Sequence, residues 1–88
     1  MEIVFIGKSE KDIKEWKNAG DVAVLKRIRK LLESIQETPF RGIGKPEPLS
    51  HDLSGKWSRR INQKDRMVYA IEDKKIKVYS LKGHYEKS

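Results

Sequence analysis

Side chains able to do acid–base or phosphate chemistry are few in this chain of 88 residues. Glu47 and Asp52 are the acids of a loop-rich middle, the two histidines are His51 and His84, and Arg59, Arg60 and Arg66 stand on or near segments that read as strands. His84 and Tyr85 are adjacent at the end of the last of those segments. Both can donate a proton, and a histidine does so near neutral pH. Glu47 lies between Pro46 and Pro48, whose fixed φ angles hold its backbone rigidly. Judged one at a time, a terminal His-Tyr is more often an ordinary strand end, and Arg59 and Arg66 read equally as charges on a sheet surface. Residue types alone therefore give a plausible acid–base set and no reaction.

Other chemistries find less support. The absence of cysteine excludes disulfides, thiol nucleophiles and zinc–thiolate sites. Two distant histidines, neither with a carboxylate at helical spacing, do not form a zinc motif, and His51-Asp52 reads as loop surface. Gly42-Ile43-Gly44-Lys45 follows a helix, and no helix opens after it, so it reads as turn chemistry and not as a phosphate loop. No cofactor or metal is expected. The 20 Lys and Arg against 13 Asp and Glu give a formal charge of +7. An excess of that size in so small a chain points to a polyanionic partner: nucleic acid, an anionic membrane or an acidic protein. Charge alone does not rank these, and leaves a merely basic surface as open as any of them.

The elements that would position these residues follow from periodicity. Ile3–Ile6 is a short apolar run closed by Gly7, which predicts a strand buried on both faces. Ser9 is placed to cap a helix carrying Ile13 and Trp16 and ending near Asn18-Ala19-Gly20. Asp21 is placed to cap a second, longer helix, whose apolar stripe is Val22, Leu25, Ile28, Leu32 and Ile35. Lys26, Arg27, Arg29 and Lys30 fall mostly on its solvated side. Thr38-Pro39 stops that helix, because the residue before a proline avoids the helical region. Residues 40–55 form a long loop that holds apolar anchors (Phe40, Leu49, Leu53), which favours a functional segment. From Trp57 the period becomes two. Trp57, Arg59 and Ile61 point one way and Ser58 and Arg60 the other; Arg66–Ile71 and Lys75–Leu81 follow as strands joined by a tight turn at Asp73-Lys74. The layout is β-α-α-β-β-β in a single α+β domain spanning residues 1–88. Two consecutive helices bury their stripes best on one face of a small twisted antiparallel sheet, which leaves the opposite face free for function. No apolar run reaches the length of a membrane span, and the start lacks the features of a signal peptide, so a cytoplasmic protein is expected.

Three stretches together carry a family resemblance. Thr38-Pro39-Phe40-Arg41-Gly42-Ile43-Gly44-Lys45-Pro46-Glu47-Pro48-Leu49, then Leu53-Ser54-Gly55-Lys56-Trp57-Ser58-Arg59-Arg60-Ile61, then Arg66-Met67-Val68-Tyr69 with the closing His84-Tyr85, resemble the YoeB (Txe) branch of the RelE/ParE toxin superfamily. The resemblance covers nearly the whole chain. It implies a toxin that cuts messenger RNA in the decoding site of the ribosome, needs no metal, and is inhibited by an antitoxin of the YefM/Phd type whose acidic C-terminal segment wraps it. It also implies a homodimer. By the same resemblance Glu47 matches the general base, Arg66 the group stabilising the phosphorane, His84 the general acid and Tyr85 a residue that assists or orients; Lys45, Arg59 and Arg60 would hold phosphates or ribosomal RNA. Two features depart from the pattern: Glu86-Lys87-Ser88 follow the tyrosine, and Ser50 stands where some relatives carry a basic residue. The alternative is a non-catalytic nucleic-acid or gyrase-binding module of the ParE branch, whose members generally lack the Glu–Arg–His–Tyr set.

Overall fold

A computed structural model of the chain describes residues 1–83. Its elements are β1 (Glu2–Phe5), α1 (Lys8–Asn18), α2 (Val22–Glu37), β2 (Glu47–Pro48), a single 3-10 turn (His51–Leu53), β3 (Trp57–Arg60), β4 (Arg66–Glu72) and β5 (Lys75–Ser80). The strands form one sheet in the order β1-β5-β4-β3-β2. The α+β architecture with two helices ahead of the main strands agrees with the sequence reading. Two details differ. β1 runs parallel to β5, so the sheet is mixed; the remaining pairings are antiparallel. β1 is also an edge strand with Ile3 37% exposed, not a strand buried on both faces. The loop after α2, read as irregular throughout, contributes the short strand β2, which pairs Glu47 with Ser58 and Pro48 with Trp57.

Helix α2 starts as expected. The Asp21 carboxylate accepts from the Val24 backbone N–H at 3.1 Å, and Thr38 turns extended ahead of Pro39. Its buried face is Val24, Ile28, Leu31 and Ile35. The predicted stripe was thus rotated by part of a turn: Ile28 and Ile35 belong to it, Val22 is largely exposed, and Leu25 and Leu32 are only partly covered. The buried set packs on Ile61, Met67, Tyr69, Ile76, Val78 and Leu81, the helix-facing residues of the sheet and its continuation.

Helix α1 is held by polar contacts more than by its apolar pair. Gly7, not Ser9, occupies the N-cap. Ser9 is fully buried, accepts from the Ile6 N–H at 2.8 Å and lies 2.6 Å from the Val78 carbonyl oxygen. Buried Asp12 accepts from Lys8 Nζ at 2.6 Å and from the Leu81 N–H at 2.9 Å, and Trp16 Nε1 donates to the Leu81 carbonyl. Charge-assisted and buried bonds of this kind are stronger than surface pairs. They fix where the chain goes after β5. Gly83 is then tied to the start of β4: its carbonyl accepts from the Arg66 N–H at 3.1 Å, and its N–H donates to Asp65 Oδ1 at 2.7 Å.

The hairpin predicted at Asp73-Lys74 is present, with φ of 54° and 60° at those residues. Positive φ at both central positions matches the twist of the flanking strands. No helix among the described residues is long and apolar enough to cross a membrane.

Candidate active site on the open face

Directly opposed residues in neighbouring strands share one face of a sheet. The register Glu47–Ser58–Val68 therefore runs as a row across β2, β3 and β4 on the face away from the helices. Arg60 and Arg66 oppose each other one step along the same face. This arrangement brings the mid-chain acid to the β4 arginine: Glu47 Oε1 lies 3.4 Å from Arg66 Nη2. Arg66 also donates from Nε to Ser58 Oγ at 3.1 Å. Its side chain is 14% exposed and that of Glu47 47% exposed, so the carboxylate is reachable from solvent while the guanidinium is seated in the sheet.

Arg60 is exposed. Two guanidinium-bearing residues opposite each other repel, which costs stability unless an anion answers them. Lys45 is exposed as well, in a left-handed backbone conformation (φ 51°), and the Gly44 carbonyl just before it accepts from the Arg60 N–H at 2.7 Å. Lys45 thus follows directly on a residue whose backbone is bonded to Arg60, and only Pro46 separates it from β2. Of the predicted cationic residues, Arg66 meets the carboxylate directly and Arg60 is its cross-strand partner. His84 and Tyr85 lie outside the described residues. Gly83, which precedes them, is hydrogen-bonded to the Arg66 backbone.

Arg59, expected to hold phosphate or RNA, does something else. It is fully buried on the helix-facing side. Nε donates to Tyr69 Oη at 3.0 Å. Nη1 donates to Ser34 Oγ at 2.8 Å and to the Ile43 carbonyl at 3.1 Å. Nη2 reaches the carbonyls of Thr38, Pro39 and Arg41 at 2.8, 3.3 and 2.9 Å. Among the described residues no carboxylate lies within ion-pairing distance of it. Its charge is balanced by carbonyl dipoles, and it cannot reach a substrate. The guanidinium instead binds the irregular segment 38–43 to the sheet, so that the chain enters β2 at a fixed place. The glycines of this loop are explained by the same contact. A Cβ on Gly42 would lie 2.4 Å from Ser34 Oγ and 3.3 Å from Arg59 Nη1. One on Gly44 would lie 2.7 Å from Leu31 Cδ2 and 3.1 Å from Arg59 Cβ, and both glycines have positive φ. Trp57, on the same face, packs against the core and tilts its ring 4.9 Å from that of Phe40.

Two residues that sequence reasoning passed over belong to this arrangement. Ser58 is fully buried and holds Arg66 in place, and Tyr69 takes one bond from Arg59 while donating to the Pro39 carbonyl at 2.7 Å. The alternation of β3 did put Ser58 on the face opposite Trp57, which was the available signal. Burial pushes the Tyr69 phenol above its ordinary pKa, an effect opposed by the adjacent Arg59 charge.

Fold and site together describe a small basic domain with a carboxylate–guanidinium centre on the free face of its sheet. Residues 5–85 match the family described as YoeB-like toxin of bacterial type II toxin–antitoxin systems. Toxin YoeB of Synechocystis sp. is 46% identical over 87 residues, covering 99% of this chain and all of the relative. A solved YoeB/ParE toxin from Agrobacterium tumefaciens superposes with a TM-score of 0.92 at 36% identity, covering 97% of this chain and 100% of that one. The toxin in a YoeB–YefM complex from Staphylococcus aureus superposes with a TM-score of 0.87 at 40% identity, covering 97% and 98%. The chain belongs to the YoeB-like toxins of type II toxin–antitoxin systems.

Proposed function

We propose that this toxin is an endoribonuclease that cleaves messenger RNA on the ribosome by attack of a ribose 2′-hydroxyl on its own 3′-phosphate. The observation that carries this reading is the Glu47–Arg66 pair, 3.4 Å apart on the open face, with Arg60 opposite Arg66 in the register. The Glu47 carboxylate takes the proton of the 2′-hydroxyl. The 2′-oxygen then forms a bond to phosphorus while the bond from phosphorus to the 5′-oxygen breaks, leaving a 2′,3′-cyclic phosphate and a free 5′-hydroxyl. Arg66, fixed by Ser58, stabilises the charge that accumulates on the phosphorane oxygens, a contribution that preorganised donors supply without reorganising. His84 supplies the proton to the leaving oxygen, and Tyr85 assists it or orients the phosphate. Lys45 and Arg60 hold flanking phosphates or ribosomal RNA. Arg59 has no part in substrate contact. These side chains complete the proton inventory of the reaction, so the chemistry calls for no cofactor or metal. DNA lacks the nucleophile and is not a substrate.

The chain acts in the cytoplasm with messenger RNA and ribosomes. It is held inactive by a YefM/Phd-type antitoxin whose acidic segment complements the +7 charge, and it forms a homodimer. The YoeB–YefM complex and the YoeB dimer known from S. aureus support the last two points.

The test is primer extension on messenger RNA incubated with the toxin, with and without ribosomes. Glu47→Gln is expected to fold normally, since an exposed ion pair contributes only about 0–1 kcal/mol, and to lower cleavage by about 100-fold or more. Undiminished cleavage by this variant would refute the role of Glu47. Growth inhibition without any cleaved message would favour the non-catalytic reading.

A further inference from the structure

Beside the row that carries Glu47 and Ser58, on the same face, lies a cavity of about 300 Å³. Its apolar part is made by Leu53, Val68 and the ring of Tyr79, and its rim by Lys8, Lys56 and Lys82. Val68 is the register partner of Ser58, so the cavity begins about 5 Å, one interstrand spacing, from the residue that holds Arg66. Lys56 Nζ lies 4.7 Å from the centre of the Tyr79 ring, and among the described residues no carboxylate is within ion-pairing distance of it. The other two cations are partly engaged: Lys8 with Asp12, Ser80 Oγ and the Lys82 carbonyl, and Lys82 with Glu15 at 4.0 Å and with the Trp16 ring. The Tyr79 hydroxyl is turned away to Glu72 Oε1 at 2.6 Å, which anchors the ring.

An aromatic and aliphatic floor under a cationic rim is the chemistry of a single-stranded nucleotide: the base lies on the ring and side chains, and its phosphate meets the ammonium groups. We infer that this cavity is a subsite for the unpaired RNA nucleotide flanking the linkage cleaved beside the Glu47–Arg66 pair, with Tyr79 as its base platform and Lys56 as its phosphate contact. The inference rests on the ribonuclease reading above. An acidic protein segment would satisfy the lysines but leaves the Tyr79–Val68–Leu53 floor without a matching flat partner, so RNA is the better fit.

The experiment measures binding of fully 2′-O-methylated, uncleavable oligoribonucleotides to the intact toxin at low salt by fluorescence anisotropy. A trinucleotide is expected to bind more tightly than a dinucleotide. Tyr79→Leu and Lys56→Gln should each lower trinucleotide affinity by about 5- to 20-fold and leave the dinucleotide unaffected. Tyr79→Phe, which keeps the ring, should bind as the parent does. A trinucleotide with an abasic end should lose the Tyr79 dependence and retain that on Lys56. Equal affinity for the two lengths, or variants that bind RNA unchanged while losing affinity only for an acidic peptide, would overturn the assignment. Because the probe is uncleavable, the two readings fail separately. If the parent never cuts RNA yet keeps the length dependence, the subsite stands and the nuclease falls. If the parent cuts RNA and Tyr79→Leu leaves its KM unchanged, the reverse holds.

Discussion

Arg59 and Arg66 are close in the sheet and identical in chemistry, yet their surroundings differ in every respect that decides what a guanidinium does. Arg59 lies beneath the sheet, wholly buried, and each of its nitrogens faces a neutral oxygen fixed by the fold. Arg66 lies on the opposite face, partly exposed, bonded to the Ser58 hydroxyl and facing a carboxylate that solvent can also reach. A cation surrounded by carbonyl dipoles has no capacity left for a substrate, and its removal leaves those carbonyls without partners. A cation held by its Nε, with Nη2 directed toward an accessible carboxylate, is preorganised for a charge that develops only during a reaction. The sheet thus uses one arginine to build the loop that carries Glu47 and, under the proposed ribonuclease reading, the other to act beside it.

The two arginines should therefore fail in opposite ways when removed. Arg66→Ala is expected to lower cleavage by about 10²–10³-fold, as when one transition-state donor is lost, with a loss of only about 1 kcal/mol in stability from the Ser58 hydroxyl that loses this partner. Arg59→Met is expected to destabilise the fold by about 3–5 kcal/mol, because buried acceptors are left unsatisfied. For a domain of this size that is a fall in Tm of roughly 15–30 °C. Thermal melts and single-turnover cleavage on the same preparations separate the two outcomes. If Arg59→Met melted like the parent and lost only activity, the division of labour would be wrong.

A sharper probe leaves the arginines in place. Gly44 and Gly55 both have positive φ, but only Gly44 would press a new Cβ against Leu31, Arg59 and the Arg60 carbonyl. Gly55→Ala meets open space and should cost about 1 kcal/mol from backbone strain alone. Gly44→Ala should cost about 2–3 kcal/mol, the excess being the price of the close approach to the Arg59 layer. Equal melting shifts for the two variants would mean that the loop is not packed tightly on that layer.

The same contrast explains what could be read from the sequence. Element types, the Asp21 cap and the 73–74 hairpin were legible because each depends on local periodicity or turn geometry. The parallel seat of β1 was not, because it depends on a pairing between residues more than seventy apart. The placement of α2 was only partly legible, since two overlapping stripes share Ile28 and Ile35, and contacts with the sheet choose between them. In Ser58-Arg59-Arg60, strand alternation correctly put Arg59 on the side of Trp57 and Ile61. The family resemblance nevertheless drew it into the phosphate-binding set, and nothing in the local sequence shows that the carbonyls of residues 38–43 arrive to neutralise it. Glu47 and Arg66 meet because β2 forms at all, and a two-residue strand that follows one proline and ends on another gives almost no strand signal.

Tyr69 offers the finest test of the buried side, because a single oxygen and a single proton distinguish it from phenylalanine. Its hydroxyl donates to Pro39 and accepts from Arg59 Nε, so Tyr69→Phe should cost about 1–2 kcal/mol at neutral pH. Burial raises the folded-state pKa above the ordinary value of 10.0 despite the opposing Arg59 charge. Above that value an unfolded chain releases the phenolic proton while the folded one retains it, so unfolding becomes easier as pH climbs. The contribution of Tyr69 is thus complete below pH 10.0 and is lost as pH rises through its higher folded value. The stability gap between parent and Tyr69→Phe should be constant from neutrality to about pH 9 and narrow beyond 10. Every other group is common to the two proteins and cancels in the difference. Urea unfolding of the pair at successive pH values measures it directly, and parallel curves through the alkaline range would show that the phenol is not held in its neutral form beneath the sheet.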